Sequence, residues 1–305
     1  MTKIPFVTEF EFEYERCEQV APGIRRIIAR NPGPFTFTGT GVYIIGTGDV
    51  ALIDPGPALP EHRAAIEAAL AANNERISHI FVTHHHLDHT PLAHPLAQHY
   101  GCKVYGFGAQ KFAPVEDDAR LEAGDDLGFQ PDVIIEDEQI FDGGNWRIQA
   151  LHTPGHTSNH VCYAFLDQNA LFCGDHVMGW STSVVSRPDG DMGDYLAQLR
   201  RIRDLNFKTL YPTHGTAIED PHEFVTAYID HRVDRENQII QQLSHGPQSI
   251  MDIVKTLYTH IDKRLYPAAA HSVLSHLVHL VETERASCDG EPGLRSVFSA
   301  VVEEV

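Results

Sequence analysis

The stretch THHHLDH, residues 83–89, follows directly on an apolar run that begins at Ile77. A continuous apolar run of this length is typical of a strand that is buried on both faces. In an extended chain, side chains two positions apart point the same way. His84 and His86 can therefore bind one cation together.

The second half of this stretch predicts another cation beside the first. We expect a helix over residues 89–100, which places Asp88 and His89 where the chain leaves the strand and turns. From that turn both side chains can face the second ion. His85 points away, and we interpret it as a bystander.

Three more candidate ligands lie downstream, each at the end of a short apolar strand: His156, Asp175 and His214. A glycine stands next to each one and permits the tight turns that bring side chains into one cleft. Five histidines and two aspartates suffice for two divalent ions; Zn suits this donor set, and Fe or Mn are alternatives. Surface or capping histidines are the competing interpretation, which the repeated strand-end positions disfavour.

The elements around these candidates indicate an α/β fold. Residues 42–45 and 50–53 flank a Gly-rich turn and predict a β-hairpin. Residues 60–72 have the apolar spacing of a helix, and further short strands and helices follow up to residue 220. Strands, helices, strands and helices in this order indicate two packed sheets with helices outside.

Residues 108–130 interrupt this order with six acidic side chains and few large apolar ones. We interpret them as a solvated insertion. Two interpretations stay open: the insertion covers the site, or it is an acidic surface loop.

Residues 221–305 are predicted to be mainly helical. Helices are expected over residues 221–243, 249–260 and 267–282. Asp289-Gly290 then predicts a hairpin turn, and helices followed by a hairpin are the order of a winged-helix unit. Residues 222–305 contain 12 acidic and 7 basic residues. We therefore expect a packing or dimerisation module, compatible with a homodimer, rather than a DNA reader.

Composition narrows the function classes further. The 305 residues carry 42 acidic and 23 basic side chains, a formal net charge of -19, which disfavours nucleic-acid and anionic membrane partners. No apolar run reaches the ~18 residues of a membrane span. Five scattered cysteines and an N-terminus without an apolar signal region predict a cytoplasmic protein.

These motifs resemble the metallo-β-lactamase-fold hydrolase superfamily. The resemblance rests on residues 52–56, 84–89, 154–157, 174–175 and 214–215. It implies that residues 1–220 form the catalytic domain, an αββα sandwich with metal ions at one rim of the sheets. The helical residues 249–282, together with the NPGPFT stretch at 31–36, resemble the β-lactamase-like-2 branch. That branch carries a small, mainly helical winged-helix-like C-terminal domain, which we expect over residues 221–305.

The resemblance also implies roles for the candidate residues. It assigns three ligands to each ion: to the first, His84, His86 and His156; to the second, Asp88, His89 and His214. Asp175 is expected to bridge the two ions, and Asp54 to orient a ligand through a hydrogen bond. Asp54 and Asp88 are the catalytic candidates, since Asp88 could also relay a proton.

The predicted function is a metal-dependent hydrolase. Two ions ~3.5–4 Å apart can share a hydroxide and polarise the substrate. We expect a small ester, thioester or lactone as substrate. The alternative is a metal-dependent endoribonuclease acting on single-stranded RNA, an activity associated with eukaryotic members of the branch. A non-catalytic binding protein and an iron-dependent oxidation are further alternatives.

Residues 176–194 connect a ligand strand to the next helix and should border the cleft. Trp180 could stack on an apolar group and Arg187 could meet an anion, or both could belong to an ordinary surface loop. His160 lies either behind the ligands or at the surface. The roles of His176 and Tyr195 stay open.

Overall fold

The computed structural model describes residues 2–109, 124–259 and 261–301. Its first sheet has seven strands in chain order. They are β1 (Glu18–Ala21), β2 (Ile24–Ile28), β3 (Gly41–Ile45), β4 (Asp49–Ile53), β5 (Arg76–Phe81), β6 (Lys103–Gly106) and β7 (Val133–Ile134). β3 and β4 pair antiparallel, which confirms the predicted hairpin, and the strands from β4 to β7 run parallel.

The second sheet has six strands in the order β13-β12-β11-β10-β9-β8. They are β8 (Ile140–Asp142), β9 (Arg147–His152), β10 (Val161–Phe165), β11 (Ala170–Gly174), β12 (Thr209–Pro212) and β13 (Ile218–Glu219). Neighbouring strands pair antiparallel, except that β11 and β12 run parallel.

The described part of the chain also contains six α-helices. They are α1 (Pro60–Ala72), α2 (Ala93–Tyr100), α3 (Met192–Asp204), α4 (Pro221–Leu243), α5 (Ile250–Leu257) and α6 (Tyr266–Glu282). None of these helices combines the length and the apolar composition that crossing a membrane requires.

The two sheets pack face to face, and helices cover their outer faces. Strand β3 shows why, because all five of its residues are buried and its side chains alternate between two cores. Tyr43 and Ile45 join the core between the sheets, where Trp146 is fully buried. Val42 and Ile44 join the core under α1 and α2. α3 and the first half of α4 cover the second sheet, so the predicted αββα order is confirmed.

The helix predicted from residue 89 begins later, at Ala93. Proline disfavours the helical conformation in the residue before it, and Pro91 therefore keeps Thr90 out of the helix. Asp88 and His89 consequently lie in a turn ahead of α2 rather than in its first turn.

The C-terminal segment forms its own core around α5 and α6. A three-stranded sheet lies against it, with β14 (Gln248–Ser249), β15 (Ala286–Cys288) and β16 (Val297–Ala300) in the order β14-β16-β15. β15 and β16 pair as predicted, but residues 289–296 connect them instead of a two-residue turn. Pro292 lies in this connection and has no N–H for a hairpin ladder.

Helix α4 belongs to both parts of the chain. Its first half, including Phe224 and Tyr228, packs under the second sheet. Its second half, including Ile239 and Leu243, packs in the C-terminal core. The division at residues 220 and 221 stays a prediction.

Candidate metal centre

Asp54 holds together the loops that carry the candidate ligands. It follows β4, is fully buried and has a left-handed backbone with φ of 48°. Its carboxylate accepts hydrogen bonds from the backbone N–H and the hydroxyl of Thr83, both at 2.8 Å, and from the Thr213 hydroxyl at 3.0 Å. His89 Nδ1 lies 2.9 Å from the same carboxylate. Asp54 thus orients His89 and fixes the start of the histidine loop.

The first group of candidate ligands consists of buried side chains whose donor atoms lie within 4.8 Å of one another: His84, His86, His156 and Asp175. His84 Nε2 and His86 Nδ1 are 2.9 Å apart, so both nitrogens face one point. His156 Nδ1 donates to the Val184 carbonyl at 2.6 Å. Nε2 is therefore the nitrogen with which His156 would bind an ion.

The second group consists of Asp88, His89 and His214, which are also buried and within 4.8 Å of one another. His214 Nε2 lies 3.1 Å from Asp88 Oδ2, and His89 Nε2 lies 3.4 Å from the same oxygen. Asp175 reaches this group as well, since its two oxygens lie 3.4 Å from His214 Nε2 and 3.7 Å from His89 Nε2. Asp175 therefore lies between the two groups.

Gly174 explains how Asp175 comes so close to the histidines. Its backbone is left-handed, with φ of 51°. A Cβ atom there would lie 2.6 Å from His160 Nε2 and 3.0 Å from the Thr83 side chain. Only glycine fits this turn without displacing those neighbours.

Asp88 and Asp175 raise the pKa values of His89 and His214 in the second group. Burial alone would lower the pKa of His214, but Asp175 and Asp88 raise it to about 10. Burial likewise opposes ionisation of Asp175, yet His214 and His89 hold its pKa well below the usual range. The carboxylates thus attract positive charge strongly into this buried space.

The donor atoms fit a metal ion on a second ground. Asp88 Oδ1, Asp175 Oδ1 and His89 Nε2 are buried and lack a hydrogen-bond partner among the described residues. Buried polar atoms left unsatisfied cost free energy, whereas bound divalent cations and their coordinated water would satisfy all three. Imidazole and carboxylate donors suit Zn, Fe or Mn.

His160 lies behind the ligands and is fully buried, so the surface interpretation is wrong. Its Nε2 accepts from the backbone N–H of Asp175 at 3.3 Å, and its Nδ1 lies 2.9 Å from the Thr153 hydroxyl. Burial, aided by His176, holds the pKa of His160 well below its ordinary value. A neutral His160 can therefore accept the hydrogen bond that positions Asp175.

His85 is buried and paired, although its interpretation as a bystander to metal binding stays a prediction. Its ring nitrogens lie 3.0 Å from Asn159 Oδ1 and 3.1 Å from Asp125 Oδ1. The same Asp125 oxygen lies 3.5 Å from Nε2 of His86. Sequence reasoning missed Asp125, because nothing distinguishes it from the other acidic residues of the insertion.

The end of the acidic insertion is attached to the ligand loop. The backbone N–H of Leu87 donates to the Gly124 carbonyl, and the backbone N–H of Asp126 donates to the His85 carbonyl, both at 2.9 Å. Residues 110–123 lie outside the described residues, so both interpretations of the insertion stay open for this part.

A cleft opens beside the two groups. Its lining outside the ligands is mainly apolar and includes Pro34, Phe35, Met178 and Trp180, with Ser181 and Thr182 as polar neighbours. Trp180 stacks on Phe37 with ring centroids 4.7 Å apart. No Lys or Arg is among the described lining residues. Arg187, a candidate anion contact, instead pairs with Asp191 at 3.0 Å.

The comparisons with known proteins agree with this fold. Residues 36–214 match the family model described as the metallo-beta-lactamase superfamily. The chain belongs to this superfamily. Residues 249–293 match the beta-lactamase associated winged helix domain, so a winged-helix domain follows the metallo-beta-lactamase fold, as the resemblance implied.

Relatives place the chain more closely within the superfamily. A beta-lactamase-like protein 2 homolog of Caenorhabditis elegans is 35% identical over 80% of this chain and 79% of its own length. An atrochrysone carboxyl ACP thioesterase of Aspergillus terreus is 31% identical over 75% of this chain and 66% of its own length. The crystal structure of a beta-lactamase domain protein from Burkholderia ambifaria has the same fold, with a TM-score of 0.80, 17% identity and coverage of 98% and 97%.

Proposed function

We propose that this superfamily member is a hydrolase with two metal ions. His84, His86 and His156 would hold the first ion. Asp88, His89 and His214 would hold the second. The observation that carries the proposal is the position of Asp175, whose carboxylate is close to both groups. A carboxylate in that position suits a shared ligand of two ions.

The ions, when bound, would lower the pKa of a coordinated water and polarise the oxygen of the scissile bond. The chain's own residues would supply orientation and proton transfer. Asp54 holds the ring of His89 through Nδ1, and His160 holds the backbone of Asp175. Asp88 Oδ1, which makes no hydrogen bond to the described residues, is the atom that we propose takes up a proton during the reaction.

The cleft supports a small acyl substrate, either an ester, a thioester or a lactone. Phe35, Met178 and Trp180 give it apolar walls that suit an acyl group. The relative named as an acyl-carrier-protein thioesterase supports the thioester among these three. The small-molecule substrate is part of the proposal. So is the identity of the ions, for which we prefer Zn over Fe or Mn.

Cleavage of single-stranded RNA is the second candidate. It comes from the resemblance to the β-lactamase-like-2 branch, a name that two relatives carry. The cleft itself disfavours it, since its described lining carries no Lys or Arg to meet a phosphate backbone, and the net charge is -19.

Metal analysis combined with a substrate panel tests the proposal. We expect about two equivalents of divalent metal per chain and hydrolysis of at least one thioester, ester or lactone. His86→Ala and Asp175→Ala should each lower both the metal content and hydrolysis. His99→Ala, an exposed histidine of α2, is the matched control and should lower neither.

Two outcomes would contradict this proposal. Hydrolysis unchanged in both ligand variants would discard the metal-dependent mechanism. Cleavage of labelled single-stranded RNA that Asp175→Ala abolishes, without activity on the acyl panel, would put the ribonuclease first.

A further inference from the structure

Three consecutive carbonyl groups connect the candidate metal centre with the C-terminal helices. The Ser183 carbonyl accepts from Arg232 Nη2 of α4 at 2.5 Å. The Val184 carbonyl accepts from His156 Nδ1 at 2.6 Å. The Val185 carbonyl accepts from the Ser275 hydroxyl of α6 at 2.8 Å. The outer two carbonyls thus face the C-terminal helices, while the middle one faces a proposed metal ligand.

These contacts are buried. Ser275 is 1% exposed and Arg232 is 4% exposed. The Ser275 hydroxyl also lies 3.2 Å from the His271 carbonyl of its own helix, but its contact with Val185 is the shorter one. Leaving a buried hydroxyl or guanidinium without its partner costs free energy. The 183–185 segment is therefore held in one position.

Further contacts hold the residues that precede this segment. The Tyr228 hydroxyl of α4 contacts the carbonyls of Met178 and Ser181. The Arg232 guanidinium lies 5.2 Å from the centre of the Tyr195 ring. The Tyr195 hydroxyl in turn donates to the His176 carbonyl at 2.8 Å. The loop beside the cleft is thus fixed from α3 and α4 as well as from α6.

The Val184 carbonyl determines the tautomer and the ring orientation of His156. A carbonyl can only accept, so Nδ1 of His156 must carry the proton and Nε2 must carry the lone pair. Hydrogen bonds of this kind set the tautomer and the ring orientation of metal-binding histidines. A shift of this carbonyl would turn the imidazole away from His84 and His86.

We propose that the C-terminal helices position His156 for metal binding, with Arg232 and Ser275 as the positioning residues that act through the 183–185 backbone. The inference rests on the proposed role of His156 as a ligand. It gives the acidic winged-helix segment a task at the catalytic centre. The same helices also affect the shape of the cleft, because the loop that they hold contributes Ser181, Thr182 and Val184 to the cleft lining.

Ser275→Ala in the full chain tests this inference, with Arg232→Lys as a second variant that keeps the charge. Competition with a chromophoric chelator measures the affinity for Zn, and the absorption bands of bound Co²⁺ report the ligand geometry. We expect Ser275→Ala to weaken one of the two ions roughly tenfold, the low end for loss of an outer partner, and to change the Co²⁺ bands. Ser287→Ala, an exposed serine of β15, is the matched control.

His156→Ala separates the two proposals. If His156→Ala leaves metal affinity unchanged, the proposed metal centre itself is wrong. If His156→Ala weakens binding but Ser275→Ala and Arg232→Lys bind Zn and Co²⁺ as the unaltered chain does, only the positioning role is overturned. Equal melting temperatures of the metal-free Ser275→Ala and Ser287→Ala proteins would show that the loss of affinity does not come from unfolding.

Discussion

Two of the clusters in which the described part of the molecule buries histidines beside carboxylates are built differently. In the proposed metal centre, Asp88 Oδ1 and Asp175 Oδ1 have no hydrogen-bond partner among the described residues. In the C-terminal cluster formed by Glu236, His276, His279 and Arg285, both oxygens of Glu236 are paired. Oε1 lies 2.7 Å from His279 Nδ1, and Oε2 lies 2.9 Å from Arg285 Nη1.

The difference supports the proposal that the first of these clusters binds a ligand. The C-terminal cluster supplies its own positive charge, so its carboxylate is satisfied within the fold. The proposed metal centre brings Asp54, Asp88 and Asp175 close to His89 and leaves donor atoms over. Satisfied polar networks hold a fold together, whereas unsatisfied ones indicate a bound ion or a catalytic role.

Removal of metal should have the largest effect on this comparison. A ligand that binds only the folded state stabilises it by about 4 kcal/mol when present at 1,000 times its Kd. We therefore expect a chelator to lower the free energy of unfolding by about that amount, as measured by urea denaturation. Asp175→Ala should make the protein insensitive to the chelator. An equal chelator effect in Asp175→Ala would contradict the assignment of the centre.

The C-terminal cluster should respond to mutation instead of metal. Glu236 has a side chain that is 3% exposed, and Glu236→Gln leaves His279 and Arg285 without their carboxylate. Breaking a fully buried pair costs 3–5 kcal/mol, but Arg285 reaches solvent, so we expect about 2 kcal/mol. Urea denaturation measures the loss. Glu282→Gln, at the exposed end of α6, should cost under about 0.5 kcal/mol, and the chelator effect should persist in both variants.

The loss caused by Glu236→Gln should also depend on pH. Burial raises the pKa of Glu236, but His276 and His279 outweigh this effect and lower the pKa to about 2. Its contribution is therefore complete above the unfolded pKa of about 4.5 and disappears as the pH falls towards 2. The hydrogen bond to Glu236 raises the pKa of His279, so that contribution is complete below about 6.5 and is lost at higher pH. The difference between the two proteins should be greatest between about pH 4.5 and 6.5, and a pH-independent difference would refute this account.

The sequence predicted that the candidate ligands lie together, because His84, Asp175 and His214 each follow an apolar strand. The ends of β5, β11 and β12 lie at one rim of the sandwich. Recognising these strand ends in the sequence is therefore enough to predict that His84, Asp175 and His214 lie close together. Their roles as ligands stay predictions. The predicted start of α2 at residue 89 was wrong, although Pro91 in the sequence already argues for a later start.

Contacts across long stretches of chain could not be predicted in the same way. Asp125 meets His85 from 40 residues away, and Ser275 meets Val185 from 90 residues away. Neither residue belongs to a motif, and each is an ordinary member of its own loop or helix. Only the packed fold brings such side chains to the centre.

Asp125 provides the smallest expected effect and the sharpest form of the comparison. It is a paired carboxylate, like Glu236, yet it lies 3.5 Å from Nε2 of a proposed ligand, His86. Its side chain is 26% exposed, so its ion pairs contribute little to stability. We expect Asp125→Asn to leave the free energy of unfolding of the metal-free protein within about 0.5 kcal/mol.

Metal affinity should nevertheless fall about tenfold in Asp125→Asn, because a carboxylate that contacts the outer nitrogen of a ligand makes the imidazole a better donor. Chelator competition measures this change. Asp126→Asn is the matched control, because Asp126 accepts from the Thr90 hydroxyl at 2.7 Å rather than contacting a proposed ligand. Equal affinities in the two variants would mean that Asp125 only attaches the insertion to the ligand loop. A tenfold difference would instead show that a satisfied carboxylate, placed behind a ligand, serves the metal rather than the fold.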